Sequence, residues 1–499
     1  MAETAEQFAE ESLSAPSQTS LSLASLGQWL DNWRTRMATD AAKIGSLSNG
    51  EAFYANHVNT LIKLKLPAEA LQASESARAR AFTDLLVARQ QTNPPFDRTT
   101  KEQGIFSYAS TPPLSLQEIK AIAAEQKGVV IEYYFLPNLS CATMGEKAKD
   151  CLAIWSMRPG TGSSDTKISL IQVPVSIDQL KSDINRLMAL MDQGLGEEAH
   201  QQEVSRLLRS LHAILIEPLE RKKLLPDGSI EKPLVTIVPH GVLFSVPFAA
   251  LLDGNKSYLV EKYALKYATA LSVLKYTKPV ASRRQGKQRN LLALVSPNPL
   301  PASEEYNGQA FIPLVETLKL FPSIASFYSP VEYQQIFTGS QASEQSLRDY
   351  SPRADVLYFG THAEVKSKDP FNSFIALAQT DGHNGYLRAL QIADLNLRAE
   401  LVILAACETA RGELSSDGIN GLSRAFTQAG ASALLVSLWK IPETRTVLLM
   451  HGFHDFWIHA KQGKAESLQN SQLKLLKSSA LYRNQPNLWS AFVLYGRSD

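Results

Sequence analysis

The sequence predicts an α/β fold in which a largely parallel sheet, arranged as two α/β lobes, is flanked by helices and follows an all-helical N-terminal region. From about residue 113 onward, short apolar runs alternate with segments of helical periodicity, as in doubly wound sheets. From Leu21 to about Gln91, apolar residues recur at helical spacing instead. We therefore expect five parts: a disordered N-terminus at 1–20, a helical region at 21–91, a linker at 92–112, a first α/β lobe at 113–280 and a second lobe at 281–499.

Composition and charge exclude several classes of function. The 50 Lys and Arg residues balance 49 Asp and Glu residues, which argues against a dedicated nucleic-acid or anionic-membrane surface. Three cysteines in 499 residues are not a disulfide framework and indicate a reducing compartment. The N-terminus has no apolar signal core, and no run of about 18 apolar residues exists. We expect a soluble cytoplasmic protein without membrane contact.

The helical region contains three segments, each with an apolar face. Pro67 opens the third segment, where small residues at successive turns favour close helix packing. The sequence shows no self-similarity at a period of about 34 residues, so the segments are either a helical repeat remnant or a cap on the next domain. The residues that mark the three faces are Leu26, Trp29, Leu30 and Trp33; Phe53, His57, Leu61 and Leu64; and Ala70, Ser74, Ala77 and Ala81.

The first lobe begins with β-branched and aromatic runs that predict a meander of strands. Cys141 and Cys151 lie about ten residues apart with no histidine nearby, so we interpret them as ordinary thiols and not as a zinc site. His240 follows a buried strand, and we interpret it as a structural turn residue. The predicted strands are Val129–Leu136, Leu152–Met157, Ile168–Val173, Leu234–Val238 and Leu265–Ala268, with two helices between Ile177 and Leu219.

The second lobe shows the same alternation of strands and helices. Two closing helices, at Thr444–Lys461 and Ala465–Leu481, precede a last strand. His451 and His454 lie on the first of these helices, and with no third ligand in view they are expected to be surface histidines. The predicted strands are Leu291–Val295, Gln335–Phe337, Asp355–Phe359, Leu401–Ala406, Ala433–Leu438 and Ala491–Tyr495.

Two of these strands end at residues that can carry chemistry. The apolar run from Leu401 to Ala406 stops at Cys407, and the run from Asp355 to Phe359 stops just before His362. If the two strands are neighbours, both side chains lie at one edge of the sheet. An imidazole beside a thiol activates it as a nucleophile, and the spacing of about 45 residues, histidine first, is that of caspase-type proteases. Taken alone, without His362 and the surrounding motifs, Cys407 is better interpreted as an inert buried thiol at the end of a strand.

Several ordered motifs carry a resemblance to a known family. They are LYFGTHA (Leu357 to Ala363), LVILAACETARG (Leu401 to Gly412), DGINGLSRAFTQAGASALLVSLWKIPE (Asp417 to Glu443) and LWSAFVLYG (Leu488 to Gly496), with VTIVPHGVLFSVPFAALLDG upstream. The region from about residue 113 to 499 resembles a CHAT domain, a caspase-like module of the caspase and separase clan. The segment LPAEALQASESARARAFTDLLVARQQ resembles the end of a tetratricopeptide array, so the chain is similar to CHAT proteins of the tetratricopeptide type.

The resemblance implies a role for each residue that matches a motif. Cys407 is the nucleophile and His362 the general base and acid, and the N–H groups of Cys407 and Ala363 form the oxyanion hole. Glu443, Trp439 and Glu408 are the expected substrate-binding residues, with Glu443 recognising a basic side chain; Glu364 and Asp381 are other acids that could do so. The chain departs from the family pattern at Ala363, where Gly is usual and Cβ would crowd the substrate, and at Ala410.

We therefore predict a cysteine endopeptidase that cleaves a protein substrate after a basic residue, with a first lobe of pseudo-caspase type and a caspase-like catalytic second lobe. The chemistry needs no cofactor and no metal. A regulatory protein partner is expected to act through the N-terminal helices, and the resemblance implies a bacterial defence or cell-death pathway. Two alternatives stay open: a catalytically inactive scaffold that binds partner proteins, and a thiol acyltransferase that uses the same Cys–His pair.

Overall fold

The computed structural model describes most of the chain from Asp40 onward. The described residues are 40–91, 111–139, 141, 150–160, 165–194, 198–227, 233–277, 289–302, 308–328, 334–366, 369–405, 414–415, 418–419 and 421–498. The predicted disordered terminus, the first apolar helical face and nearly all of the predicted linker lie outside these ranges.

Helices flank the sheet on both sides. Many begin and end at residues that the sequence marks as caps; Ser115, for example, forms a capping box with Glu118. The helices are α1 (Asp40–Lys63), α2 (Pro67–Ser76), α3 (Arg80–Gln91), α4 (Leu116–Glu125), α5 (Ile177–Gln193), α6 (Glu198–Leu215), α7 (Glu217–Arg221), α8 (Leu271–Tyr276), α9 (Val315–Ala325), α10 (Glu344–Tyr350), α11 (Ala389–Ala393), α12 (Leu422–Ala429), α13 (Glu443–His454), α14 (Lys464–Leu476) and α15 (Ala480–Asn484).

Among the described residues, eleven strands form one continuous sheet. Its strands are β1 (Val129–Leu136), β2 (Asp150–Arg158), β3 (Lys167–Val175), β4 (Leu234–Val238), β5 (Ala264–Tyr267), β6 (Leu291–Pro297), β7 (Gln334–Gly339), β8 (Val356–Gly360), β12 (Leu401–Leu404), β15 (Ala433–Ser437) and β16 (Phe492–Gly496). A three-stranded sheet holds β9 (Ala363–Glu364), β10 (Phe374–Ala376) and β11 (Tyr386–Arg388), and β13 (Leu414–Ser415) pairs with β14 (Gly418–Ile419).

The strand order β3-β2-β1-β4-β5-β16-β15-β12-β8-β6-β7 shows how the two predicted lobes are joined. The first five strands and the strands from β6 to β15 form two α/β halves, and the last strand of the chain lies between them. β16 pairs in parallel with β5 and antiparallel with β15. Strands β1–β3 form the predicted antiparallel meander, whereas β8 and β12 are parallel neighbours. The predicted largely parallel sheet is thus confirmed, as a single sheet across both halves.

The N-terminal helices pack on the first half of the sheet. Tyr54 and Val58 of α1 and Leu71 of α2 share a hydrophobic cluster with Val130 and Trp155. Burial of these side chains provides most of the driving force for docking, because removing apolar area from water stabilises the contact by about 25 cal/mol per Å². The helices therefore cap the meander.

A buried ionic group lies within this interface. Glu132 is in the middle of β1, a strand whose residues are all buried, and Arg78 approaches its carboxylate to 3.3 Å. Arg78 also donates to the carbonyl groups of Pro239 and Tyr133, and Ser74 donates to Glu132. Burial raises the pKa of Glu132 well above its usual range, with the Arg78 charge opposing this shift. A charge at this depth requires such partners.

Two of the predictions for individual residues are wrong. Cys141 and Cys151 are not separate thiols but form a disulfide that ties the chain after β1 to the start of β2. His454 is not a surface residue: it is fully buried on α13, and its Nδ1 lies 2.7 Å from the carbonyl oxygen of Met450. Apolar residues occur on all sides of α13, so the sequence positions of His451 and His454 do not show which side of the helix is buried.

Two glycines end helices as the sequence predicts. Gly430 caps α12 in the left-handed conformation with φ of 112°, and Gly194 follows α5. A Cβ atom at position 430 would lie 2.3 Å from the carbonyl oxygen of Leu397, so this close approach excludes a side chain. Within the described ranges, none of the helices has the length and hydropathy that a membrane crossing requires.

Candidate functional site

The candidate site lies where two neighbouring parallel strands end. β8 ends at Gly360, and His362 follows it at the carboxyl edge of the sheet. β12 lies directly beside β8, in a register that pairs Phe359 with Leu404. The condition on which the sequence interpretation depends, that these two strands are neighbours, is therefore met. In α/β proteins this edge of the sheet is where ligands bind.

His362 lines a narrow cavity of about 40 Å³ together with residues from several other elements. Ala405, the first residue after β12, is in its wall. Trp439 follows β15, Glu443 begins α13 and Thr317 belongs to the first turn of α9. The structure thus brings together three of the residues that the sequence singled out: His362, Trp439 and Glu443.

The imidazole of His362 is held from two directions. Its Nε2 lies 2.7 Å from the carbonyl oxygen of Ile312, and the Phe311 ring stacks on it at 4.8 Å between centroids with an interplanar angle of 13°. Because a carbonyl oxygen can only accept, Nε2 carries the proton and Nδ1 of the neutral ring is left as an acceptor. Burial lowers the pKa of His362, while the Ile312 carbonyl and the charge of Glu443 raise it in part.

Glu443 is anchored at the other side of the cavity. One of its carboxylate oxygens accepts hydrogen bonds from the backbone N–H of Thr317 at 2.9 Å and from the Thr317 hydroxyl at 3.1 Å. Thr317 lies near the N-terminus of α9, where the helix dipole favours a negative charge. The carboxylate therefore has a fixed position within the cavity that contains His362.

Trp439 is a structural wall of the cavity. The side chain is fully buried, and its Nε1 donates to the carbonyl oxygen of Asn487 at 2.9 Å. A fully buried indole with a satisfied N–H gives the cavity its shape and depth.

The backbone N–H of Ala363 faces away from its own sheet partner. Ala363 pairs with Ile375 of β10, and the N–H of Ala376 donates to the carbonyl oxygen of His362 at 2.9 Å. In an antiparallel ladder this pattern makes the Ala363–Ile375 pair the kind that exchanges no hydrogen bonds, so the N–H of Ala363 points outward. The Ala363 methyl group is buried in the main hydrophobic cluster, with 6% of the residue exposed.

Cys407 and Glu408 lie outside the described residues, as does Ala410. Of the other acids considered, Glu364 lies 3.7 Å from Lys366 in a separate cleft, and Asp381 is in an exposed turn near Thr380 and His383. Neither is among the residues that line the His362 cavity.

The other histidines have structural surroundings. The ring of His240 lies against that of Tyr134, with centroids 4.5 Å apart and a tilt of 36°, and its Nδ1 accepts from the N–H of Phe135. Burial lowers the pKa of His454 to about 4, so that ring is neutral. In the part of the chain that the structure describes, no group of three or more His, Cys, Asp or Glu residues is arranged to hold a metal ion.

Sequence reasoning missed Phe311, Ile312 and Thr317. Ile312 acts through its backbone carbonyl, which every residue possesses, so its side chain gave no signal. Phe311 precedes α9 and Thr317 lies in its first turn, a stretch that the sequence marks only as an ordinary helix and its approach. A catalytic histidine generally needs a partner that orients its ring, but the tertiary fold determines which group that partner is.

Curated proteins and solved structures share features with this chain. Human tetratricopeptide repeat protein 28 is 25% identical over 328 residues, and the mouse protein of the same name is 26% identical over 333 residues. The alignments cover 58% of this chain but only 13% of the length of those relatives.

The fold is similar to that of separase in crystal structures of the Saccharomyces cerevisiae separase–securin complex. One structure has a TM-score of 0.56 at 11% identity and covers 93% of this chain and 38% of the other. A second has a TM-score of 0.51 with 92% and 37% coverage. The sequence model of the CHAT domain matches residues 205–497, which is more than half of the chain. The chain therefore belongs to the CHAT domain family.

Proposed function

We propose that this protein is a cysteine endopeptidase in which Cys407 is the nucleophile and His362 the general base and acid. One observation carries the proposal. The register of β8 against β12 pairs residues 45 positions apart, such as Phe359 with Leu404, and the same interval separates His362 from Cys407. Ala405 already lines the His362 cavity, so the chain enters this site two residues before Cys407.

The proposed reaction begins with proton transfer. The Ile312 carbonyl accepts from Nε2–H of His362, so Nδ1 can take the proton of the Cys407 thiol. The thiolate then attacks the peptide carbonyl carbon and forms the C–S bond, while the carbonyl oxygen becomes an oxyanion. The N–H groups of Ala363 and Cys407 stabilise that charge.

Collapse of the tetrahedral species breaks the C–N bond. His362 gives its proton to the leaving amine, and a thioester remains on Cys407. Water, deprotonated by His362, then adds to the thioester carbonyl. The C–S bond breaks, the carboxylic acid leaves, and His362 returns its proton to the Cys407 thiolate. No metal or cofactor takes part in this sequence. The outward direction of the Ala363 N–H supports its part in it, and its buried methyl group argues against the crowding expected from Ala in place of Gly.

We further propose that Glu443 selects a basic side chain at the residue before the cleaved bond. Its carboxylate lies in the same cavity as His362, and a basic side chain that widens this cavity on entering would meet it. Trp439 forms the apolar wall along the stem of such a side chain. Glu408 remains a candidate for the same pocket.

A protein partner is proposed to regulate the activity through the N-terminal helices. The similar separase structures contain securin as a bound protein, which supports the binding of a protein partner to this fold. A catalytically inactive scaffold is the second candidate function. It is favoured by the names of the curated relatives, which refer to tetratricopeptide repeats and not to a peptidase.

A peptide library assayed by mass spectrometry tests the proposal. The wild-type protein should cleave after Arg or Lys, and Cys407→Ala and His362→Ala should each abolish cleavage. Glu443→Ala should retain the dyad but lose the preference for basic residues. The same cleavage pattern in wild type and Cys407→Ala would reveal a contaminant, and no cleavage in any sample would leave the scaffold as the better account.

A further inference from the structure

Arg89 of the N-terminal helix α3 contacts the second half of the protein. Nη1 of Arg89 donates to the carbonyl oxygens of Ala393 at 3.1 Å and Gln428 at 2.5 Å, and its Nη2 donates to that of Leu395 at 2.5 Å. Ala393 ends α11, and Gln428 is in the last turn of α12. A single guanidinium group therefore binds the C-terminal ends of two helices.

These carbonyl groups are suited to such a cation. The last carbonyls of a helix have no intrahelical partner, and the helix dipole places partial negative charge there. The two helix ends are also joined to each other, because the N–H of Leu397 donates to the carbonyl oxygen of Ala429 at 2.8 Å. Arg89 thus completes a junction that fixes α12 relative to α11 and α3.

A second contact holds α3 against the body of α12. The guanidinium group of Arg424, a buried residue of α12, stacks over the ring of Phe82 at 5.0 Å. Phe82 itself is buried, with 3% of the residue exposed. Such a desolvated cation–π contact adds to the attachment of α3 along the length of α12.

The opposite end and the inner face of α12 reach the candidate site. Phe426 of α12 packs against Phe359 of β8 at 5.4 Å between centroids, three residues before His362. At the start of α12, a Cβ atom on Gly421 would lie 3.5 Å from the hydroxyl of Ser373, which accepts from the N–H of Lys366 just after β9. Gly421 also follows directly on the segment that contains Cys407.

We propose that Arg89 is a positioning residue for the Cys407–His362 pair. The N-terminal helices would control the activity through the hydrogen bonds of Arg89 to the C-terminal end of α12. The inference rests on the proposed peptidase function. Since packed interiors transmit small shifts, release of Arg89 lets α12 move against β8 and changes the geometry at the sheet edge. A partner that displaces α3 would act on the site by this route.

The test uses the full-length chain and three variants. Arg89→Ala removes all three hydrogen bonds, and Arg89→Lys keeps the charge but loses the forked geometry. Arg158→Ala is the matched control, because Nη2 of Arg158 also donates to two carbonyl oxygens, those of Lys223 and Leu225, in the first half of the protein. The measurements are amide hydrogen exchange of residues 421–430, kcat and KM for a cleaved peptide, and the rate of Cys407 alkylation by iodoacetamide.

Arg89→Ala should increase exchange in α12 by about tenfold, because local opening becomes easier. It should lower kcat by about tenfold to a hundredfold with KM within about twofold of wild type, since misplacement by about 1 Å costs that much in rate. Arg89→Lys should be intermediate, and Arg158→Ala should match wild type in every measurement. A general loss of stability would instead increase exchange in β1 and β4 of Arg89→Ala as much as in α12.

If amide hydrogen exchange in α12 is unchanged in Arg89→Ala, Arg89 does not hold α12 in place and the proposal fails. Faster exchange with unchanged kcat and unchanged alkylation would overturn the positioning role. If wild type cleaves no peptide, the peptidase proposal fails separately, and the exchange and alkylation rates still decide the part played by Arg89.

Discussion

The carboxylate of Glu443 and the imidazole of His362 face one narrow cavity at the end of β8, and the negative charge of Glu443 raises the pKa of His362. Burial has the larger effect on this histidine and lowers its pKa below the usual 6.5. The two residues come from elements more than 80 positions apart in the sequence, and Thr317 holds the carboxylate in place. This relationship links the proposed base to the proposed specificity residue.

The effect of Glu443 on the pKa of His362 predicts how the proposed peptidase activity depends on pH. A general base works when neutral, so activity should fall as pH drops through the pKa of His362, and the acid limb of kcat/KM should have its midpoint below 6.5. Glu443→Gln removes the charge that raises this pKa, so the acid limb should move to still lower pH. Glu364→Gln, outside the cavity, is the control and should leave the limb in place. An upward shift in Glu443→Gln would contradict the account.

The buried Arg78–Glu132 pair predicts a large stability effect at the interface of the N-terminal helices. Arg78→Met leaves Glu132 without its cation and frees two backbone carbonyls, so the free energy of unfolding should fall by about 3–5 kcal/mol. The comparison is Arg221→Met, in which a pair with side chains 68% and 46% exposed is removed. That change should stay within about 0.5 kcal/mol in chemical denaturation. Equal changes in the free energy of unfolding for the two substitutions would show that burial does not increase the contribution of the Arg78–Glu132 pair.

Two glycines have positive φ but differ in how closely other atoms approach them. Substituting each by Ala therefore separates the cost of the backbone conformation from the cost of close packing. Gly382 has φ of 94° and open space around its Cα, so Gly382→Ala should cost about 1–2 kcal/mol. Gly430 has φ of 112°, and an added Cβ would collide with the Leu397 carbonyl, so Gly430→Ala should cost at least twice as much. Thermal unfolding of both variants provides the comparison. A smaller loss for Gly430→Ala would mean that Gly430 does not approach the Leu397 carbonyl as closely as described.

Burial of His454 predicts loss of stability in acid. Its pKa is about 4 in the folded protein and 6.5 when solvated, so the unfolded chain binds the proton more readily between these values. The stabilising contribution is complete above pH 6.5 and is lost as pH falls through 4, a change of about 3 kcal/mol. His454→Phe should flatten the pH dependence of the unfolding free energy in this range. An unchanged slope would show that other groups determine it.

Much of the fold could be predicted because its local signals agree. Val129–Leu136 and Leu234–Val238 were predicted with the bounds that the structure has, since short apolar runs flanked by polar residues favour buried strands. Gly430 marked the end of α12 because a left-handed cap favours glycine. The strands that precede His362 and Cys407 were also predicted as buried strands, but that β8 and β12 are neighbours is a finding of the structure.

Other features depend on contacts that leave no local pattern. The position of β16 between the two halves follows from pairing with strands more than 50 residues away, and a single sequence does not contain that pairing. The Ile312 carbonyl beside His362 is a backbone group, and the Cys141–Cys151 disulfide requires that two chain segments meet. Whether His454 is buried depends on which elements pack against α13, and the sequence of α13 alone does not show this.

The most direct test of the central claim is covalent labelling of the full-length protein by an arginine-based acyloxymethyl ketone, followed by mass spectrometry of the cysteine peptides. The protein has three cysteines, and two of them are paired in the disulfide, so an adduct can be assigned without ambiguity. The account predicts an adduct on Cys407 in wild type that Cys407→Ala lacks and that His362→Ala slows by at least about a hundredfold. Labelling of Cys407 at the same rate in His362→Ala, or no labelling in wild type, would contradict it.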